Sequence, residues 1–209
     1  MQLINISGFS IAEGERKVTE TADKRQRKDP KGQMEMKEIV IIPTGDEIKK
    51  GTVLDTNSPR IMELVLAFWP ACKIVRAAPP ADVKEEIQNE IRHWGKGRGI
   101  IFLTGGSGGG RAFDCGLAVD CTHTALAELL PNSEAVEIVG SNGHLMAKIV
   151  AGVFEDKLVV SLPGPTVEAV SGAKAVLESL AENNIDCKKI AGKAAQAVFA
   201  QYGSWGHGL

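Results

Sequence analysis

Between Thr104 and Arg111 the chain reads TGGSGGGR, directly after an apolar run. Gly105, Gly106, Gly108, Gly109 and Gly110 let the backbone adopt φ > 0 and let a ligand come close to the main chain. Successive amides in such a turn form a concave nest of N–H donors that suits an anion. Thr104 and Ser107 add hydroxyls and Arg111 adds positive charge, so a phosphate group fits this inventory. The competing reading is a plain surface loop.

The acids sharpen the question. Asp46 and Glu47 follow one apolar run, Asp55 lies in DTN, Asp82 precedes a helical pattern, and Asp114 and Asp120 follow the glycines. Aspartates near helix starts commonly accept free N–H groups as caps, which would account for Asp82 and Asp120 without any ligand. Carboxylates beside a phosphate nest repel the ligand unless a cation intervenes, and magnesium takes carboxylate and phosphate oxygens together. The combination makes chemical sense chiefly as a metal–phosphate site.

Other chemistries are weaker. A Walker A loop needs GxxxxGK[ST], and no lysine follows these glycines; GSGGGR meets the dinucleotide fingerprint only loosely and follows the third strand of the series rather than the first. Cys115, Cys121 and His123 lack the short knuckle of a zinc site. His123 or His144 as base to a cysteine nucleophile is no better supported.

The elements that must hold these loops are legible from periodicity. EIVIIPTG is a short β-rich run. NSPRIMELVLAFW predicts a helix capped by Ser58 with Pro59 at its first position, and Ile61, Leu64, Val65 and Phe68 on one face. CKIVRAA predicts a strand, and PPADVKEEIQNEIRHW a helix turning Val83, Ile87, Ile91 and Trp94 inward. GIIFLTG is apolar throughout, as a strand covered on both faces would be. THTALAELL predicts a helix, AVEIV a strand, and LMAKIVAGVF with KLVVSLPG a hairpin across Glu155 and Asp156. PTVEAVSGAKAVLESL and CKKIAGKAAQAVFAQYG predict two more helices, the last turning Ile190, Ala194, Ala197 and Val198 to the core. Strands alternating with helices imply a parallel or mixed sheet covered on both faces. Ligands then bind beyond the carboxyl ends of the strands. TGDE, PPAD, TGGSGGG and LPGPT all fall at that edge.

The chain has 209 residues, 44% hydrophobic and 24% charged, with net charge -2. That is enough for one ordinary core and offers no general attraction to nucleic acid or an anionic membrane. No stretch approaches the length of a membrane span, and no secretory signal is visible at the start. Four cysteines without a close pair suit a cytoplasmic chain with free thiols. Residues 1–36 are expected to form a charged arm or small appendage, with LINISGFSI as a strand or two and KRQRK as a basic patch. Residues 37–182 form the α/β domain, and 183–209 a C-terminal helix and tail packing on it.

Four stretches taken together, PTGDEIKKGTVLDTN, FLTGGSGGG, VDCTHTAL and VVSLPGPTVEA, resemble the molybdopterin-binding domain family, which includes MogA, MoaB, the central domain of MoeA and CinA-like proteins. The resemblance runs from about Lys37 to about Leu180. It implies an α/β/α sandwich of three layers around a mostly parallel mixed sheet, in subunits that often form trimers. It places the family's acids on Glu47, Asp82 and Asp120, as catalytic or magnesium-holding groups. It places the phosphate loop on Gly105, Gly106, Ser107 and Gly108, which Thr104 and Gly109 flank. Asp46, Asp55, Thr56 and Asn57 match the first motif, and Pro163 and Gly164 the loop bordering the pterin. The insertion GRAFDCGLAV leaves Asp114 as the alternative to Asp120.

The resemblance implies binding of the phosphorylated pterin molybdopterin, and in one branch magnesium-dependent adenylyl transfer from ATP to it. A non-catalytic pterin-binding module is the alternative, since MoeA's additional domains have no counterpart here. A CinA-like nucleotide pyrophosphate hydrolase is another, and a ligand-free structural oligomer is the remaining one. The tail GSWGHGL receives no role.

Overall fold

The computed structural model describes residues 2–6, 9–13, 36–106, 121–140, 143–183 and 185–203. Its elements are β1 (Gln2–Ile6), β2 (Phe9–Glu13), β3 (Glu38–Pro43), α1 (Asp46–Lys49), α2 (Asn57–Phe68), β4 (Lys73–Arg76), α3 (Lys84–Trp94), β5 (Gly99–Thr104), α4 (Thr122–Leu129), β6 (Glu134–Val139), β7 (Leu145–Phe154), β8 (Lys157–Leu162), α5 (Thr166–Ala181) and α6 (Cys187–Gly203). The strands form one sheet in the order β1-β2-β6-β7-β8-β5-β3-β4.

In the six strands from β6 to β4, the pairs β8/β5, β5/β3 and β3/β4 are parallel, while β6/β7 and β7/β8 are antiparallel. This core is the mostly parallel mixed sheet expected. The β1–β2 hairpin adds two antiparallel pairings by docking β2 along β6, Ile11 opposite Ile138. The β7–β8 hairpin turns at Glu155 and Asp156 as expected, with Glu155 in the left-handed region at φ 51°.

Alternation along the central strands separates two cores. Ile39 and Ile41 of β3, Ile100 and Phe102 of β5, and Val160 and Leu162 of β8 face α2, α5 and α6. Val40, Ile42, Ile101, Leu103 and Val159 face α3 and α4. Each side chain of a strand points opposite to the next, so uninterrupted apolar runs are what a sheet buried on both faces requires. The result is three layers, with α2, α5 and α6 on one side and α3 and α4 on the other.

Three helix details differ from the sequence expectation. The start of α2 lies at Asn57, one residue before Ser58, and Pro59 is its third residue. Asp55 Oδ1 takes the amides of Asn57 and Ser58 at 3.2 and 3.0 Å, so Asp55 supplies the cap that Ser58 was expected to give. In α3, Ile87 and Ile91 are buried, but Val83 precedes the helix and is 45% exposed, because the helical phase begins only at Lys84. In α6, Ile190, Ala191, Ala194, Ala195 and Val198 are buried, while Ala197 is only partly covered.

Crossing from β3 through α2 to β4, the chain covers one face; returning from β4 through α3 to β5, it covers the other. The order therefore reverses between β3 and β5, and a crevice opens at their carboxyl ends.

Candidate functional site

Four loops leave the carboxyl ends of β3, β4, β5 and β8, and hydrogen bonds tie them together. The Thr44 amide donates to the Thr104 carbonyl at 2.9 Å, and the Gly105 amide to the Leu162 carbonyl at 3.0 Å. The Thr44 hydroxyl lies 3.1 Å from that of Thr122 at the start of α4. Asp46 and Asp82 lock the first two loops reciprocally: the Asp46 amide donates to Asp82 Oδ2 and the Asp82 amide to Asp46 Oδ1, each at 3.1 Å. Asn57 Nδ2 reaches the Gly164 carbonyl at 2.8 Å, and the hydroxyls of Thr56 and Thr166 meet at 2.6 Å.

The glycines at the end of β5 are geometric necessities. Gly105 has φ 108°, and a Cβ there would stand 2.6 Å from the Thr44 carbonyl oxygen. At Gly106, φ is 59° and a Cβ would meet Thr122 Oγ1 at 2.2 Å. Both positions need a residue that accepts positive φ and has no side chain.

These loops enclose a cavity of about 450 Å³. Its walls include Glu47, Asp55, Asn57, Asp82, Thr104, Gly105, Gly106, Pro163 and Gly164, all singled out from the sequence. Of the remaining sequence candidates, Asp46 stands behind the wall, its carboxylate engaged by the Asp82 amide and by Lys50 at 3.3 Å. Ser107, Gly108, Gly109, Asp114 and Asp120 lie outside the described residues, as do Arg111 and Cys115. A more open hollow of about 650 Å³ between α2, α5 and α6 carries none of the candidates.

The acids fall into distinct roles. Burial raises the Asp55 carboxyl, but hydrogen bonding from Ser58 and the Arg76 guanidinium at 2.8 Å outweigh it and hold it below the usual range. Asp55 is thus a structural acid that caps α2 and ties it to β4. Asp82 is not the cap of α3 that its position suggested, since its carboxylate spans to the Asp46 amide. The Glu47 carboxylate folds back over Gly45, within 3.1–3.2 Å of where a Cβ would be. Glu47, Asp55, Asp82 and Glu168 line the cavity, and no lysine, arginine or histidine does so among the described residues.

The buried polar atoms without a hydrogen-bond partner among the described residues include the Thr104 hydroxyl and Asn57 Oδ1. Both residues line the cavity. A buried polar atom left unbonded costs about 1–3 kcal/mol, so a cavity keeping two is suited to a polar ligand. Helix α5 also begins at its rim and presents the amides of its first turn with a positive dipole end, whereas the first amides of α2 are taken by Asp55.

Sequence reasoning missed Glu168, Tyr202, Met146, Val53 and Leu54, which complete the walls. Glu168 sits within the quoted LPGPTVEA stretch, but nothing in its spacing marks it. Tyr202 comes from the far end of α6, where only the fold brings it near.

A protein-family model described as a probable molybdopterin binding domain matches residues 40–182. No curated protein matches the chain in sequence. Among solved structures, the molybdopterin biosynthesis enzyme MoaB from Thermus thermophilus is 22% identical, with a TM-score of 0.54 over 75% of this chain and 98% of that one. The Mog protein of molybdopterin biosynthesis from Mycobacterium ulcerans is 18% identical, with a TM-score of 0.52 over 75% and 98%. CinA from Thermoplasma acidophilum, a protein of unknown function, is 17% identical, with a TM-score of 0.51 over 70% and 99%. At these identities the structures show a common fold.

Proposed function

Since the chain belongs to the molybdopterin-binding domain family of molybdenum cofactor biosynthesis, we propose that the cavity binds the phosphorylated pterin itself and serves adenylyl transfer from ATP to it. The observation that carries this reading is the cavity at the switch point between β3 and β5, where positive-φ glycines, the start of α5 and carboxylates meet. The Gly106 amide and the amides at the start of α5 would take phosphate oxygens. Thr104 and Asn57 bring the unsatisfied polar atoms that such a ligand would pair.

An anion in an acid-lined cavity needs a counter-cation. Among the described residues no three metal-binding side chains converge, but Glu47 and Asp82 supply two carboxylates, and Asp120 is the third acid by family resemblance, with Asp114 as its alternative. Hard oxygen donors of this kind fit magnesium. When bound, magnesium would neutralise charge on the phosphoryl oxygens. The transfer itself needs no strong base from the chain: a terminal phosphate oxygen of the pterin attacks the α-phosphorus of ATP, a new P–O–P bond forms, and pyrophosphate leaves. The protein's part is to align the two phosphates and exclude water.

Calorimetry with molybdopterin, ATP with magnesium, and ADP-ribose, each offered separately, tests the reading. Molybdopterin binding together with formation of adenylylated product on adding ATP and magnesium is expected. Pterin binding without product would reduce the protein to a binding module, and cleavage of ADP-ribose without pterin binding would make it a pyrophosphate hydrolase. Asp82→Asn and Glu47→Gln should each weaken magnesium-dependent binding by about tenfold or more.

A further inference from the structure

The part of the cavity formed by α5 and α6 has its own polar pair. Tyr202 donates its hydroxyl to Glu168 Oε2 at 2.8 Å, and both side chains line the cavity beside Met146 and Pro165. Tyr202 is the sole hydrogen-bond partner of Glu168 among the described residues. Burial pushes the Glu168 carboxyl up, against the Tyr202 bond that lowers it. Among the described residues no cation offsets that burial. Helix α6 also lies beyond residues 40–182, the segment matched by the family model.

We propose that Glu168 reads the heterocyclic end of the ligand, accepting N–H groups from the amino-amide edge of a fused pyrimidine, with Tyr202 as the positioning residue that fixes its carboxylate. Such an edge presents two parallel N–H donors, the pattern that a carboxylate accepts side by side. A tyrosine hydroxyl has one proton to give, so it occupies one lone pair and leaves Oε1 and the remaining lone pair of Oε2 to the ligand. Met146, Pro165 and the 81% exposed Leu54 supply apolar surface for a flat ring. The inference rests on the pterin-phosphate reading and adds the selectivity of that site.

The test compares molybdopterin, GMP and AMP by calorimetry on the full chain. GMP carries the same amino-amide edge as a pterin; AMP lacks it and shares the phosphate. The wild-type protein should prefer GMP to AMP. In Glu168→Gln, molybdopterin and GMP should each lose about tenfold in affinity while AMP is unchanged. Tyr202→Phe should lower the GMP-to-AMP ratio by a smaller factor. Thermal midpoints of both variants check that they are folded, and Glu168→Asp carries the same test should the glutamine variant fail to fold. Equal wild-type affinity for GMP and AMP, or all three ligands weakening together in Glu168→Gln, overturns the inference. An unchanged ratio in Tyr202→Phe overturns the positioning role. A Glu168-dependent preference for GMP with no binding of molybdopterin leaves the inference standing and removes the pterin reading instead.

Discussion

Gly106 is where the need for a particular residue is clearest, because a single methyl group there would stand 2.2 Å from the Thr122 hydroxyl at a φ of 59°. Gly106→Ala is expected to cost about 2 kcal/mol or more, read as a lower denaturant midpoint, and to abolish phosphate binding. Glu38 makes the opposite kind of demand at the amino ends of the parallel strands. It pairs with the fully buried Lys157 and with Lys73 at 2.8 Å. Glu38→Gln strands a buried ammonium and should cost about 3 kcal/mol in chemical unfolding. The same pair sets a pH dependence: the hydrogen bond from Lys157, then that from Lys73, holds the Glu38 carboxyl below its ordinary 4.5. A depressed carboxylate contributes stability that is complete above the unfolded value and is lost as pH falls through the folded one. The thermal midpoint should therefore fall on acidification below about pH 4.5, and in Glu38→Gln that decline should be shallower.

Among the elements, α2 depends on a residue outside it. Its cap comes from Asp55, which also anchors Arg76 of β4, so Asp55→Ala removes two supports at once. A loss of about 1–2 kcal/mol is expected from the missing cap, and the double variant Asp55→Ala with Arg76→Ala should lose less than the sum of the two single losses, because both break the same ion pair. Helix α6 is held by close contact with α5. A Cβ on Gly172 would lie 2.8 Å from Leu162 Cδ2 and 3.2 Å from Val198 Cγ2. Val198→Ala opens a cavity at that seam and should cost about 2 kcal/mol. It should also loosen Tyr202, one turn further along the same helix, and so weaken pterin binding more than AMP binding.

In the molecule as a whole, the cavity lies on the parallel segment of the sheet and reaches Met146 of β7, while the β1–β2 hairpin sits on the far edge beyond β6. A variant beginning at Met36 should keep the six-strand core and its ligand affinity within about twofold, measured by near-ultraviolet circular dichroism and calorimetry. No helix among the described residues is long and apolar enough to cross a membrane.

The sequence by itself determined the layers and the edge. Runs such as EIVIIP and GIIFLT have apolar groups on both sides of the strand, which demands helices on both faces, and the glycines and acids that follow them fall at one set of carboxyl ends whatever the strand order. What each acid does was decided by tertiary structure alone. Asp82 faces the Asp46 amide across 36 residues, Asp55 gives both oxygens to the fold, and Tyr202 meets Glu168 across 34. Periodicity reports which face of an element is buried, and a hydrogen bond between distant elements leaves no trace in it. Such bonds exist only after packing has set the distance.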